Sequence, residues 1–484
     1  MADSIDIKHP LYTAHLPDWQ TMLDCYAGER AIKEARFLYL PPTAGMIADG
    51  ALTSTTSKGG QAYAAYLKRA TFPDLVSDAV KAMIGVMHHK PPTIELPDAL
   101  EPLRKRATLQ GEDLGFLLRR INEQQLVTGR CGLLADLPVK AASNVLPYLA
   151  LYTVKDIINW DAATPEQSSS DDLNLVVLDE SDPVRQGFDW MPEQRYRVLV
   201  LGAPDEKEQA GQAVYRAGVF AGKDAVFSEE QLIAPSWSGR LLGLIPFSFI
   251  NAADIVPDPD DPPLIGLARL SLTIYRGEAD YRQSLFLQGQ DTLVVIGATD
   301  QEDYRVGAGA SISLPPGGDA KYVGANSSGL PEQRQALEND YNRASQKSGQ
   351  LLDSVSRERE SGEALKIRVA ARTATLNQVA LAGAGGLQQA LRHIARWIGA
   401  NPEAVSVRPN LDFTSDTIGG KELLDLATFK QIGGPLSWEQ IHRIMADKGV
   451  TELTYEEELA AIEEEAEMDG GSTNPTGPEE EEEE

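Results

Sequence analysis

The chain has 484 residues, of which 42% are hydrophobic and 24% charged, a composition typical of a globular protein with two or three domains. Its formal net charge of −28 argues against a conventional nucleic-acid binder, because duplex affinity depends on lysine and arginine neutralising phosphates. The sequence has neither an apolar run of membrane-spanning length nor a signal-peptide pattern, so we expect no membrane span and no export by a signal peptide.

The region from residue 15 to residue 130 is predicted to be helical. Asp18 stands where it could cap a helix carrying Trp19 and Met22, and Pro73 precedes a second segment with helical apolar spacing. A third segment ends at Gly129, which is a candidate C-cap glycine.

Between residues 131 and 252 the spacing of apolar residues changes to a period of two. Short apolar or alternating runs are separated by Pro, Gly, Asp and Ser clusters, as is typical of antiparallel strands. The runs are CGLLADLP, LPYLALYT, LNLVVLDE, RYRVLVLGA, AVYRAGVFAG and LIPFSFIN. We therefore expect a β-rich block here, which together with the preceding helices forms residues 1–262.

A stiff, acidic stretch, DIVPDPDDPP, separates this block from the next helices. A helix is predicted over 263–290, a small β element over 291–327 and a second helix over 328–352. The β element is too short to hold a core of its own. The pattern therefore predicts a hairpin of two helices with a small β structure at its tip.

A charged loop over 353–362 leads into the longest predicted helix, over 363–400. Ser361 is a candidate N-cap for this helix, followed by Gly362. A glycine inside a helix costs about 1 kcal/mol relative to alanine, so a cluster of them predicts a kink or the close approach of another element. The glycines in question are Gly383, Gly385 and Gly386.

Residues 401–467 are predicted to be helical again, with capping boxes SWEQ (437–440) and TYEE (454–457). Fifteen acidic residues and no Lys or Arg lie between Glu452 and the C-terminus. The stretch 468–484, which ends in six glutamates, is predicted to be disordered.

Sequence motifs that would indicate catalysis or metal binding are absent. There is no GxxxxGK[ST] phosphate loop and no GxSxG nucleophile motif. Cys25 and Cys131 lie far apart without a CxxC spacing, and His88 and His89 are adjacent, which points them about 100° apart on a helix. We expect buried or neutral thiols in a reducing compartment, no metal, no cofactor and no enzyme activity.

The order of these elements resembles that of tailed-phage portal proteins, which run from wing through stem, clip, stem and tunnel loop to crown. The segment LARLSLTIYRGEADYRQSLFLQGQDTLVVIG (267–297) resembles the step from stem helix to clip in that family. SGEALKIR (361–368) resembles the step after the tunnel loop, and LPYLALYTVKDIINW (146–160) resembles the strand before the wing domain. The resemblance implies an α+β, mainly helical subunit, and it extends over roughly residues 15–465.

The domains that the resemblance implies are a wing (1–262), two stem helices (263–290 and 328–352), a clip (291–327), a tunnel loop (353–362), a long kinked helix (363–400) and a crown (401–467). Portal proteins form a ring, usually of twelve copies, at one capsid vertex of the virion, and they assemble in the host cytoplasm. Double-stranded DNA passes through the ring without sequence specificity during packaging and ejection. Implied protein partners are the terminase, head-to-tail connector proteins and the major capsid or scaffold protein.

The resemblance places four alternating charges in the tunnel loop, facing DNA: Arg357, Glu358, Arg359 and Glu360. A ring must not hold the polymer that slides through it, and an acidic bore keeps phosphate contacts weak. Two arginines, each beside a glutamate, would touch phosphates without trapping them. The alternative is a solvated loop, or exposed ion pairs between subunits worth under about 1 kcal/mol each.

Two other classes of function remain open at the level of sequence. One is a structural or scaffold protein of a virion that forms no ring and uses its acidic tail as an interaction arm. The other is an enzyme of unrecognised fold.

Overall fold

The computed structural model describes residues 4–137, 146–162, 173–202, 214–222, 227–289, 292–296, 316–323, 329–349, 362–411, 413, 420–431, 435, 437–447, 451 and 453–469. The chain divides into two compact units, Met1–Leu411 and Asp412–Glu484. The secondary structure is α+β, as expected, with long helices and several small antiparallel sheets.

The first unit begins with a group of helices. They are α1 (Pro10–Ala27), α2 (Glu29–Glu34), α3 (Ala44–Ala48), α4 (Lys58–Arg69), α5 (Leu75–Met87), α6 (Glu101–Lys105) and α7 (Leu114–Thr128). Local capping explains several of the ends. Asp113 accepts a hydrogen bond from the backbone of Phe116 at the start of α7, and Gly129 ends that helix in the left-handed conformation.

The prediction that Asp18 caps the first helix is wrong. The helix starts at Pro10, where proline is tolerated because the first backbone amide needs no intrahelical acceptor. His9 is the N-cap residue, and its side chain accepts from the amide of Leu11. Asp18 lies inside the helix and pairs with Arg269 over 2.9 Å.

The β-rich block contains all six predicted strands and three more. Its strands are β2 (Arg130–Asp136), β3 (Tyr148–Thr153), β4 (Ile157–Ala162), β5 (Leu173–Asp179), β6 (Pro183–Gln186), β7 (Asp189–Pro192), β8 (Arg195–Gly202), β9 (Val214–Ala221) and β10 (Phe247–Asn251). They form a three-stranded sheet in the order β10-β2-β3, a four-stranded sheet in the order β4-β5-β8-β9 and the separate hairpin β6-β7. Every pair of neighbours is antiparallel.

One short strand lies inside the region predicted to be wholly helical. Strand β1 (Thr93–Glu95) pairs antiparallel with β13 (Ser406–Arg408), more than 300 residues later in the chain. A strand of three residues is too short to show an alternating apolar pattern, so this pairing is visible only in the structure.

The core of the first unit is built on both faces of β2, all of whose residues are buried. Leu134 faces a cluster that includes Trp19, Trp160, Phe247 and the inner face of the four-stranded sheet. On the opposite face, Leu133 and its alternate neighbours pack against α7 and the second half of a later helix. Because successive strand side chains point to opposite faces, one strand joins both clusters.

The rest of the first unit consists of long helices and a small ladder. They are α8 (Ile265–Gln288), β11 (Thr292–Ile296), β12 (Asp319–Val323), α9 (Leu330–Gly349) and α10 (Gly362–Ile398). Strands β11 and β12 pair antiparallel from Thr292 opposite Val323 to Ile296 opposite Asp319.

The described residues of the second unit form three helices, α11 (Gly420–Gln431), α12 (Trp438–Asp447) and α13 (Tyr455–Asp469). Both predicted capping boxes are present. Ser437 and Gln440 exchange hydrogen bonds between side chain and backbone, and so do Thr454 and Glu457. His442 contacts the ring of Tyr455, with 5.4 Å between centroids. Of residues 468–484, which are predicted to be disordered, Met468 and Asp469 form the end of α13, and residues 470–484 lie outside the described residues.

Candidate functional site

Helices α8 and α9 form an antiparallel hairpin. Gly277 of α8 packs against Leu337 of α9, and Gly266, near the start of α8, lies beside Lys347, near the end of α9. At 1.5 Å per residue, α8 is about 36 Å long and α9 about 30 Å. The short ladder β11–β12 lies in the chain between them.

Glu278 lies inside the hairpin rather than on its open side, with 14% of its side chain exposed. It accepts a hydrogen bond from Arg282 Nε over 2.8 Å and one from the hydroxyl of Tyr341 over 3.3 Å. Burial and the neighbouring Glu278 carboxylate raise the pKa of Tyr341. Glu278 therefore joins α8 to α9.

Helix α8 is fixed to the N-terminal helices by polar contacts along one side. Tyr66 of α4 donates from its hydroxyl to Asp280 Oδ1 over 2.6 Å, and Arg276 Nε donates to the carbonyl of Tyr39 over 3.0 Å. Nearer the end of α8, Arg69 donates to Gln283 and its guanidinium lies 4.0 Å from the ring centre of Phe286. Helix α8 is therefore attached to the N-terminal helices along its second half, up to the end nearest the ladder.

By contrast, α9 has little of its surface covered. Between Pro331 and Lys347 only Leu337 and Ala344 are buried. At the end of α8 nearest the ladder, three successive apolar side chains, those of Leu285, Phe286 and Leu287, are exposed by 40 to 50%. A helix with so small a buried face gains little stability from packing, and a two-stranded ladder on its own is only marginally stable in water.

The predicted tunnel-loop residues Arg357, Glu358, Arg359 and Glu360 lie outside the described residues, as does the predicted cap Ser361. Gly362 is the first residue of α10. The role of the loop stays a prediction.

The glycines of α10 lie in one uninterrupted helix that runs to Ile398. A Cβ atom on Gly383 would collide with the side-chain amides of Asn122 and Gln125 of α7, and one on Gly386 would collide with Ile250 of β10. Gly385 has no heavy atom within 4 Å of the corresponding position. Two of the three glycines therefore stand where α10 approaches another element closely.

Several polar contacts that hold this region together carry no sequence signal. Tyr26 donates to Glu123, Tyr39 to Asp24 and Tyr66 to Asp280. Burial is the first cause of the raised pKa of each tyrosine, and the hydrogen bond to the carboxylate is the second. The partners lie between 15 and 214 positions apart, so spacing could not have indicated them.

No group of described residues has the composition of a metal site. Cys25 and Cys131 are buried free thiols, and burial raises the pKa of each to about 12, which leaves them unreactive. His88 bonds to Asn122 and His89 to the carbonyl of Val86, so the two rings have separate partners. Among the helices of the described ranges, none combines the length and the apolar character that a membrane span requires.

Comparison with known proteins gives a family match and similarities to solved structures. Residues 263–398, from the start of the hairpin to the end of α10, match a domain of unknown function, DUF4055. No curated protein matches the chain. The match covers less than half of the chain and names no activity.

Two solved structures are similar over much of the chain. The neck of a native GTA particle with C12 symmetry matches with 15% identity and a TM-score of 0.39, covering 77% of this chain and 89% of that one. The neck of an empty GTA particle with C6 symmetry matches with 14% identity and a TM-score of 0.39, covering 77% and 90%. TM-scores this low do not establish a common fold.

Proposed function

We propose that this chain is a portal-type subunit that assembles into a ring at one capsid vertex and forms a conduit for double-stranded DNA. The observation that carries the proposal is the hairpin of α8 and α9, rooted in the body by Tyr66 and Arg276 and bearing a small β ladder at its tip. Its order in the chain, after a β-rich block and before a long helix, is that of the family it resembles.

The energetics of the hairpin favour many copies over one. Helix α9 exposes nearly all its described side chains, and the end of α8 exposes a run of three apolar residues. Packing each hairpin between two neighbours would remove this surface from water at about 25 cal/mol per Å². It would also allow ladders from adjacent copies to support one another, which a ladder of two strands needs.

The charge of the chain suits a conduit. A protein with a net charge of −28 repels the DNA backbone, which keeps friction low in a bore through which DNA slides. Arg357 and Arg359 of the tunnel loop would supply weak, compensated phosphate contacts at the narrowest point. The proposed partners are the terminase and the connector proteins at the clip and capsid or scaffold protein elsewhere, with the assembled ring in the virion.

The ring is tested by native mass spectrometry and negative-stain imaging of the purified chain. We expect particles of a single high copy number with a central hole. A folded monomer across buffers from low to high salt would contradict the ring and would favour a non-ring scaffold protein.

The DNA-facing role of the tunnel loop is tested by reversing both arginines, Arg357→Glu and Arg359→Glu, in an in vitro packaging assay. We expect intact rings that package less DNA. The matched control reverses two exposed arginines far from the loop in sequence, Arg106→Glu and Arg185→Glu, and should package normally. Equal packaging by both variants would show that the loop does not touch DNA.

A further inference from the structure

The first unit carries two exposed surfaces of opposite charge. The acidic linker, residues 254–263, contains four aspartates and no basic residue. The basic face, residues 29–69, contains six basic and three acidic residues, a net charge of +3 in a chain whose total is −28. The linker joins β10 to α8, and the basic face comprises α2, α3, α4 and their connections.

Both surfaces also expose apolar side chains beside their charges. In the linker these are Ile255 and Val256, with 39% and 47% exposed. In the basic face they are Phe37, Leu38, Ile47 and Leu52, with 36 to 65% exposed. An apolar centre with charges around it is the usual composition of a protein–protein contact.

The linker is held in a fixed shape. Asn251 Nδ2 donates to Asp254 Oδ1, to the carbonyl of Val256 and to the carbonyl of Asp258, over 2.6 to 2.9 Å. Asp260 accepts from the amide of Ala253 over 2.8 Å. Because these donors are neutral, they order the loop without cancelling its charge, and a preordered loop loses little entropy on docking.

Two basic residues, His15 and Arg130, lie near the linker. His15 Nδ1 lies 3.5 Å from Asp261, whose side chain is 79% exposed. Arg130 is 1% exposed and stacked between Trp160 and Phe249, at 4.1 and 4.5 Å from their ring centres. Arg130 therefore attracts the linker from beneath and leaves the outer side of the loop acidic.

The basic face is only partly compensated by carboxylates of its own. Arg30 pairs with Glu34 and Lys33 with Glu29 at exposed positions. Within the described ranges no carboxylate pairs with Arg36, Lys58 or Lys68. The guanidinium of Arg36 lies 5.3 Å from the ring of Phe37 and 5.6 Å from that of Tyr63, at a backbone φ of +48° that non-glycine residues seldom adopt.

The two surfaces lie at different parts of α1. The linker reaches the first half of that helix at His15, whereas the basic face is joined to its second half by the bond from Tyr39 to Asp24 Oδ2. Two complementary patches at separate places on one molecule produce head-to-tail contacts, which close into a ring when the rotation permits.

We propose that the acidic linker of one copy docks on the basic face of the next. The proposal rests on the ring proposed above and names the surfaces that join its subunits. The partner is a second copy of this chain, because the two surfaces carry opposite charges and both expose apolar side chains. Elsewhere, the acidic surfaces of two copies repel each other.

The first experiment neutralises each surface separately and measures assembly by native mass spectrometry at about 150 mM salt. The linker variant is Asp258→Asn with Asp261→Asn, and the basic-face variant is Lys58→Gln with Lys68→Gln. Each should weaken assembly on the order of tenfold or more. The control, Glu229→Gln with Glu230→Gln, removes the same charge as the linker variant from another exposed site and should assemble as well as the parent or better.

A second experiment identifies the contact directly. Copies labelled with ¹⁵N are mixed with unlabelled copies, assembled and treated with a carbodiimide, which joins carboxylates to amines without a spacer. We expect cross-linked peptides that pair residues 254–263 of one isotope with Lys58 or Lys68 of the other. Because it uses the parent chain, this measurement stands even where a neutralised variant fails to fold.

The outcomes separate the two proposals. A parent chain that stays monomeric overturns the ring and this contact together. A parent ring that survives both neutralised variants and gives no mixed-isotope cross-link between these segments overturns the contact alone and leaves the ring intact.

Discussion

Tyr66 on α4 and Asp280 on α8 are joined by a hydrogen bond of 2.6 Å between residues 214 positions apart. Replacing Tyr66 with phenylalanine leaves the partly buried carboxylate without its donor, so we expect the free energy of unfolding to fall by about 1–2 kcal/mol. The matched control is Tyr275→Phe, because the hydroxyl of Tyr275 is buried without a hydrogen-bond partner among the described residues. Urea unfolding should show little loss for the control, and equal losses for both variants would contradict the assigned role.

The same tyrosine predicts a dependence of stability on alkaline pH. Burial, followed by the hydrogen bond to Asp280, raises the pKa of Tyr66 above its ordinary value of about 10. A group with a raised folded pKa contributes stability that is complete below about pH 10 and is lost as the pH rises towards the folded value. Thermal unfolding between pH 9 and 11.5 should therefore weaken the parent chain more steeply than Tyr66→Phe. Parallel curves would show that Tyr66 titrates normally.

The burial of His393 in α10 predicts that the stability of the fold decreases at acidic pH. Burial, with a smaller effect of Arg396, lowers its pKa to about 3. The neutral ring is therefore favoured in the folded state, and the contribution present above the unfolded pKa of about 6.5 is lost as the pH falls towards 3. A His393→Leu variant should lose less stability than the parent between pH 7 and pH 4.5. The exposed His89 offers a control, since His89→Gln should follow the parent curve.

The three glycines of α10 predict two different outcomes for the same substitution. Alanine at Gly383 or Gly386 would force apart elements whose atoms already occupy the position of the new Cβ, at a cost of about 1–3 kcal/mol. Alanine at Gly385 meets nothing within 4 Å and should stabilise the helix by about 0.5–1 kcal/mol. Chemical denaturation of the three variants side by side checks the order, and a stable Gly386→Ala would show that α10 can move away from Ile250.

Replacing the exposed aromatic side chains of the β6–β7 hairpin is expected to change the solubility of the protein without changing its stability. All its strand residues are exposed, Phe188 at its turn is fully exposed, and Trp190 is 62% exposed. Serine at both positions should change the free energy of unfolding by less than about 0.5 kcal/mol, because exposed side chains contribute little to folding. It should also reduce self-association measured by light scattering, since exposed aromatic patches favour aggregation. A large loss of stability would show that the hairpin packs on the body.

Part of the candidate site was predictable from short-range patterns. The change of apolar period and the acidic, proline-rich break indicated two helices around a small β element, and the structure contains α8, the β11–β12 ladder and α9. Glycines 383 and 386 were recognised by their cost inside a helix, although their neighbours were not. The tunnel-loop residues Arg357 to Glu360 stay a prediction, because they lie outside the described residues.

The sequence by itself determined the features whose partners are close in the chain. The capping boxes at Ser437 and Thr454 and the terminal glycine at position 129 need only residues a few positions away, so a local pattern contains the whole interaction. The opposite charges of the linker and the basic face can also be read from the sequence. Their significance becomes apparent only from the structure.

Only the tertiary structure decided which side chains meet across the fold. The pairing of β1 with β13, the bond from Tyr66 to Asp280 and the enclosure of Glu278 between two helices all depend on packing between distant segments. A side chain's partner at such distances is set by the shape of the whole core rather than by spacing. For this reason the hairpin could be predicted, whereas the contacts that hold it and the surfaces it leaves exposed could not.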